Sequence, residues 1–453
     1  MSIVSRIGIK SLYITATISV MMGMSLLSKA GEIKREIFLH TQYGQVIEGS
    51  ESVGKGNLLD ELDIIGADYG DETAPMKDDW LTKGLIQLHK IAEEKARLHF
   101  FLEQAYKHSW IRHPAPETGV NHDWYKIHSH IGLNLIPSDT NQGTWLKIEF
   151  AGASPLTRKT RQTGSLDNAY GASGPMDCDV FEKDFYYLPE AIISQGFARN
   201  KVVGMIGVIN QSNYFDANAY ANTTYGQFSS APFVNNQALP LAESNFGFIL
   251  QGQFTKSMYA QFGASLMDCA PRCNPFLKTD GKAFNVILEL GWVKEDMCGM
   301  GEGAYRIQPF LFRNEGSTNG GMALNMEQTL WKSPFAMYSR LGWSSANSGN
   351  LGGACSQISG GLIFKKPIEV LTGVAESDLN FLGLGIALIK PDGEVLSEGQ
   401  STSSREVVIE CVYTYSLSAY CLIQPSIQFV RNPAGRNDRN STTVYSVQTV
   451  LLF

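Results

Sequence analysis

The sequence predicts an all-β fold: a transmembrane antiparallel β-barrel of about sixteen strands behind a helical or irregular amino-terminal segment. Three observations carry this expectation. Apolar and polar residues alternate with a period of two through most of the chain beyond Asp123. Charged residues fall almost entirely in the polar phase of that alternation. The chain ends on an alternating strand whose last residue is Phe453. In lipid every backbone group must find a partner, and a closed sheet is the only sheet without edges. A secreted soluble sandwich that binds a ligand shows the same alternation and is the main alternative.

Composition narrows the class. The chain has 453 residues, 43% of them hydrophobic. Beyond the amino terminus no run approaches the roughly 20 apolar residues of a spanning helix, which excludes a helical transporter. With 44 acidic against 37 basic residues the net charge is -7. No basic block stands ready to neutralise phosphates, so no nucleic-acid partner is expected.

Arg6 and Lys10 precede an apolar stretch from Leu12 to Leu27, and Ser28-Lys29-Ala30 offers small residues where a signal peptidase reads. Residues 1–30 are therefore expected to be a signal peptide. Residues 31–122 form the next region, whose first part is acidic and irregular. An amphipathic helix over 79–107 follows, because Leu81, Leu85, Leu88, Ala92, Leu98, Leu102 and Tyr106 recur at helical spacing behind the capping Asp78 and Asp79. The barrel is assigned to 123–453.

Within it, Tyr125, Ile127, Ile131 and Leu133 alternate with Lys126, His128 and His130, and Leu146, Ile148 and Phe150 alternate with Lys147 and Glu149. The two histidines stand side by side on a strand, but nothing at fixed spacing completes a metal site, and no metal or cofactor is expected. Val202–Ile209 is a strand. The long polar and aromatic connection after it, 210–244, holds Tyr214, Phe215, Asp216, Tyr220, Tyr225 and Phe228. Unstructured stretches of that length are usually functional. This loop, or one like it, is expected to fold inward and narrow the lumen, so that deleting 220–235 would change the single-channel conductance.

Further strands follow quickly. Phe284, Val286, Leu288, Leu290 and Trp292 leave Glu289 opposite; Tyr305, Ile307 and Leu311 leave Arg306 and Gln308; Met322, Leu324 and Met326 leave Glu327; Met337, Leu341 and Trp343 leave Arg340. Leu382, Leu384, Ile386 and Leu388 leave only Gly383, Gly385 and Ala387. Near the end Glu406 and Glu410 oppose Val407, Ile409 and Cys411, and Gln424 and Gln428 oppose Ile423 and Ile427. About fifteen such strands are countable, and bacterial single-chain barrels use even numbers.

Seven cysteines cannot all pair internally. Cys269 and Cys273 share a turn-rich loop suited to a small disulfide, and Cys411 and Cys421 share the oily phase of adjacent strands, paired or free.

Several short segments, in order, resemble the carbohydrate-selective porins of the OprB type. They are Asn213-Tyr214-Phe215-Asp216-Ala217-Asn218 with Gln227-Phe228, the strands around Gly247 and from Tyr259 to Asp268, and Glu406 to Tyr413. Gln424-Pro425-Ser426-Ile427-Gln428-Phe429-Val430 with Asn432-Pro433 and the terminal Leu451-Leu452-Phe453 complete the set. The resemblance covers most of 202–453. Before Tyr125 the chain departs from it, since Asp79-Trp80-Leu81-Thr82 lacks the glycines of the family's Trp-Gly-Gly-type motif.

The resemblance implies an outer-membrane channel for carbohydrates and other small hydrophilic solutes, with lipid around it and a monomer or homo-oligomer equally open. Such a pore needs no nucleophile or cofactor; its selectivity comes from width and from polar groups that replace a solute's water. The expected wall residues are Lys126, His128, His130, Lys147, Glu149, Glu289, Arg306, Gln308, Glu327, Arg340, Glu406, Glu410, Gln424 and Gln428. A barrel enzyme is the remaining alternative, and no Gly-x-Ser-x-Gly elbow or assembled catalytic set supports it.

Overall fold

The computed structural model describes residues 84, 87–88, 91–92, 98–112, 121–136, 144–156, 185–197, 202–224, 226–255, 257–267, 282–294, 296–314, 317–331, 333–345, 354–377, 379–391, 405–418, 421–437 and 440–452. The expected signal peptide, Tyr225 and the Cys269–Cys273 loop lie outside them.

Sixteen antiparallel strands form one closed barrel. They are β1 Leu98–Arg112, β2 Asn121–Ile136, β3 Thr144–Pro155, β4 Phe185–Phe197, β5 Val202–Ile209, β6 Asn245–Gln253, β7 Met258–Leu266 and β8 Phe284–Lys294. The second half comprises β9 Gly303–Asn314, β10 Ser317–Thr329, β11 Phe335–Ser344, β12 Ala354–Lys365, β13 Phe381–Pro391, β14 Glu406–Ser418, β15 Cys421–Arg431 and β16 Thr442–Leu452. Each strand pairs with its sequence neighbours. The seam closes where β1 meets β16, from Glu103 opposite Leu452 to Arg112 opposite Thr443. Among the described residues all strands belong to this one sheet, with no second sheet stacked on it.

One expectation is corrected here. Residues 84, 87–88 and 91–92 are helical, but the helix does not run to 107, because Leu98–Arg112 is the first barrel strand. The barrel therefore starts at Leu98, before the expected boundary at 123. The spacing itself was ambiguous: Leu98, Leu102 and Tyr106 stand four apart, which suits one helical face and also one strand face, since four is even. Sheet closure decides it. Without β1, both β2 and β16 would present open edges to lipid.

The alternation read from the sequence sets the two faces of the wall. Outward lie Phe246, Phe248 and Leu250 of β6, Leu288, Leu290 and Trp292 of β8, and Leu382, Leu384 and Ile386 of β13, all exposed on the outer surface. Inward lie Gln261, Glu289, Arg306, Asn325, Arg340 and Glu410, all buried. Connections at one end, the loop end, include the long 156–184, 210–244, 267–283 and 392–405. The other, the turn end, carries the first and last strand termini and mostly short links, with 366–380 the exception.

Outward aromatic residues gather near each end. Trp292, Tyr305, Phe335, Phe364, Tyr413 and Tyr415 stand near the turn end; Trp110, Tyr186, Trp343, Phe429 and Tyr445 stand near the loop end. Along β11, Phe335 and Trp343 are about 27 Å apart at 3.4 Å per residue, or about 20 Å in height at a strand tilt of 40°. Two such girdles flanking an oily band are what an outer-membrane barrel presents to its bilayer.

Cys411 lies opposite Ile427, and Cys421 opposite Ser418 and Leu451. The two thiols share the outer face but do not meet, and both are free.

Candidate functional site: the lumen and its inner loop

The interior is organised by 210–244, which turns into the barrel and runs along the inside of the wall. Its aromatic side chains supply an apolar filling. Phe228 and Phe233, 5.2 Å apart between ring centres, pack with Tyr338, Ile363, Val408, Val412 and Val430. Phe215 packs with Ile249, Ile287, Phe310 and Phe312. The wall is hollowed to receive the rings. A methyl group at Gly385 would stand 2.9 Å from Phe233 and 3.0 Å from Phe228, and one at Gly263 would stand 2.7 Å from Phe215. Such distances leave no room for a side chain. This explains why β13 carries Gly383, Gly385 and Ala387 on its inner face.

Polar wall residues fix the loop's backbone. Asp216, left-handed at φ 61, is central. Its Oδ2 accepts from Arg340 Nε at 2.9 Å and from the Asn236 amide at 2.7 Å, so one carboxylate ties the wall to two distant points of the loop. Arg340 also donates to the carbonyls of Asp216 and Phe233. Asn325 donates to Asp216 Oδ1 and to the Asp216 carbonyl, each at 2.7 Å. Next to it, Glu289 accepts from the Asp216 amide at 3.3 Å and from the Tyr259 hydroxyl at 2.6 Å, and Gln308 donates to the same carboxylate. Glu327 accepts from the Ala219 amide and pairs with Arg306 at 3.2 Å.

Farther round the wall, Glu410 accepts from the amides of Ser229 and Ser230 at 2.9 and 3.0 Å. Gln357 accepts from the Gln237 amide at 2.7 Å and donates to the Pro232 carbonyl at 2.6 Å. Gln424 accepts from the Gly226 amide at 3.1 Å and donates to the Gln227 carbonyl. Gln448 donates to the Thr224 carbonyl at 3.2 Å. At the start of the loop, Glu190 accepts from the Asn210 amide at 3.2 Å and from the Tyr214 hydroxyl at 3.0 Å, while Lys147 pairs with Glu190 and Glu149 at 2.7 and 3.1 Å. Buried backbone groups must be hydrogen-bonded, and here the wall supplies the partners that a loop without regular structure lacks.

The expected wall residues whose side chains are described point inward, but most of them are buried. Glu289, Glu327, Arg340, Glu410 and Gln424 lie buried and hold the loop directly, and buried Gln308 and Arg306 hold Glu289 and Glu327 in turn. Lys147 and Glu149 belong to the buried ion pairs beside its start. Glu406 holds the connection between β15 and β16 by accepting from the Ala434 amide at 2.6 Å. Gln428 is buried, and its carboxamide makes no hydrogen bond among the described residues. Lys126, His128 and His130 stand on β2, and their side chains lie outside the described set.

The loop residues divide in the same way. Phe215, Asp216 and Phe228 are buried anchors; Tyr214 and Tyr220 are half-buried. The Tyr220 hydroxyl meets Thr329 Oγ1 at 3.0 Å, and Lys365 Nζ stands 4.8 Å from its ring centre. Sequence reading missed the receiving glycines, Gly263 and Gly385, and the anchors Asn325 and Gln357. The run of small residues inside an otherwise oily β13 was the available signal.

Comparison with known proteins agrees with this geometry. Residues 310–453, the carboxy-terminal third, match the family model described as carbohydrate-selective porin, OprB family. No curated protein matches the sequence. Among solved structures, a high-pH structure of Pseudomonas putida OprB aligns with a TM-score of 0.63 at 12% identity, covering 80% of this chain and 96% of that one. A low-pH structure of the same protein aligns with a TM-score of 0.51 at 12% identity, covering 84% and 98%. At such identity the likeness establishes a shared barrel fold.

Proposed function

We propose that this OprB-like barrel is an outer-membrane porin through which carbohydrates and other small hydrophilic solutes diffuse passively. The observation that carries the reading is the inward loop: a closed sixteen-stranded wall whose interior polar residues hold 210–244 against it. The carboxy-terminal match to carbohydrate-selective porins supports the solute class. The loop narrows the passage, and fixed width with polar groups along it is what selects small hydrated solutes. No catalytic residue is needed.

Tyr214 and Tyr220 of the loop are half-buried, with their hydroxyls held by Glu190 and Thr329, and their rings are the aromatic surfaces this reading assigns to a passing sugar. Aromatic rings offer faces to the apolar side of a pyranose, and amides and hydroxyls replace its water. Outer-membrane lipid is the partner of the oily outer face. Each barrel is complete alone, because no sheet edge remains open, and crosslinking in membranes decides whether copies associate.

Liposome swelling with sugars of graded size is the test. Monosaccharides are expected to enter quickly and longer oligosaccharides progressively more slowly. Vesicles bearing the folded protein that admit no sugar would overturn the reading.

A further inference from the structure

The connection 366–380 at the turn end is built the opposite way from the inner loop. It contains a short helix, α2, at Pro367–Thr372, which follows Lys366 and ends at Gly373 in the left-handed region at φ 74 (α1 is the single turn Ala231–Val234 of the inner loop). Glu376 and Asn380 are turned into the protein, while Lys366 and Glu369 form a part-exposed ion pair at 3.8 Å. Buried Glu376 accepts from the amides of Ile368 and Glu369 at 2.6 and 2.9 Å and from Asn380 Nδ2 at 3.0 Å. Asn380 Oδ1 in turn accepts from the Ser416 amide at 2.7 Å. The apolar side chains are left outside: Leu371 is 76% exposed, Val374 61% and Val370 52%.

Its position says what covers them. Glu376 Oε1 also accepts from the Tyr413 hydroxyl at 3.2 Å. Tyr413 belongs to the outward face of β14, opposite the exposed Leu382 of β13 and beside Tyr415 of the aromatic girdle. The connection is therefore fastened to the outer side of the wall at girdle height. It does not sit in the lumen. In the nearby β10–β11 turn, Trp331 is held at φ 52, a conformation unusual for a bulky residue, with 74% of its surface exposed. The two connections are joined where the Lys365 amide donates to the Pro334 carbonyl at 2.8 Å, and exposed apolar surface of this kind marks an interaction site.

We propose that α2 with Val374, Leu371 and Trp331 is an interfacial shelf that enters the headgroup region of the lipid leaflet at the turn end and fixes the barrel's depth. The bilayer already covers the strands to which the shelf is fastened, so its occupant is the same lipid. A short amphipathic segment with its apolar side outward and its carboxylate folded back suits that zone. This rests on the outer-membrane reading.

The test uses the unmodified chain folded into phosphatidylcholine vesicles that carry a photoactivatable diazirine either near the headgroup or at the acyl-chain end, with adducts mapped by peptide mass spectrometry. The headgroup-proximal probe is expected to label 366–380 several-fold more than the chain-end probe does. The mid-strand residues Leu384 and Ile386 are expected to show the reverse. Adducts on the strands with none on 366–380 would overturn the shelf while leaving the barrel reading intact, whether water or a second copy covers the patch. No adducts on any strand would overturn the membrane reading itself.

Discussion

The two connections 210–244 and 366–380 solve one problem in opposite directions. Both lack extended regular structure, and both are held by buried carboxylates that accept backbone N–H groups, Glu289 and Glu410 in the first and Glu376 in the second. The first hides its aromatic rings in a wall hollowed by glycine. The second leaves Val370, Leu371 and Val374 on the surface. The medium each one faces explains the difference. Inside the barrel the free side of the loop meets water, so apolar groups must turn to the wall; outside it the free side meets lipid, so polar groups must. A barrel wall inverts the usual sense of core and surface, and its connections follow whichever side they join.

The largest break in this comparison comes from the inner loop's central ion pair. Arg340→Ala leaves Asp216 buried without its partner, a loss of about 3–5 kcal/mol for such sites. The loop is expected to detach, giving higher and noisier single-channel conductance in planar bilayers and protease cleavage within 211–244, with the barrel still formed. Next is Gly385→Val, which forces Phe228 and Phe233 out of their recess at about 1–3 kcal/mol. It is expected to lower the unfolding temperature and raise conductance less than Arg340→Ala does.

A third variant separates the two regions. Glu376→Ala frees the first amides of α2, worth about 1 kcal/mol as a lost cap, and is expected to reduce lipid labelling of 366–380 while conductance stays at the wild-type level. The smallest effect is expected from Lys365→Met. It removes a cation near the Tyr220 ring worth about 0.5–1 kcal/mol, and a modest shift of reversal potential toward cations in a salt gradient would register it.

The outer face was legible in the sequence because lipid imposes a strict rule on it. Every second residue of β6, β8 and β13 had to be oily, and a period of two survives without knowledge of neighbours. The inward course of 210–244 was also legible from its length and aromatic content. Two features were not. Leu98, Leu102 and Tyr106 satisfied helix and strand alike, and only sheet closure, a property of the whole chain, chose between them. The inner charges read as pore lining because alternation gives a side chain's direction and not what covers it. That Arg340 meets Asp216, 124 positions away, has no local signature, although Gly383 and Gly385 hinted that something large lay against β13.

The central claim, that 210–244 lies inside the barrel against β11, is tested most directly by a crosslink. A methyl group on Gly342 would fall on the Asn236 side chain, so Asn236→Cys with Gly342→Cys places two thiols in contact. The account predicts that the disulfide forms in the folded, membrane-inserted protein and that single-channel conductance stays at the wild-type value. Thiols at those positions that remain unjoined under oxidation in the folded barrel would contradict it.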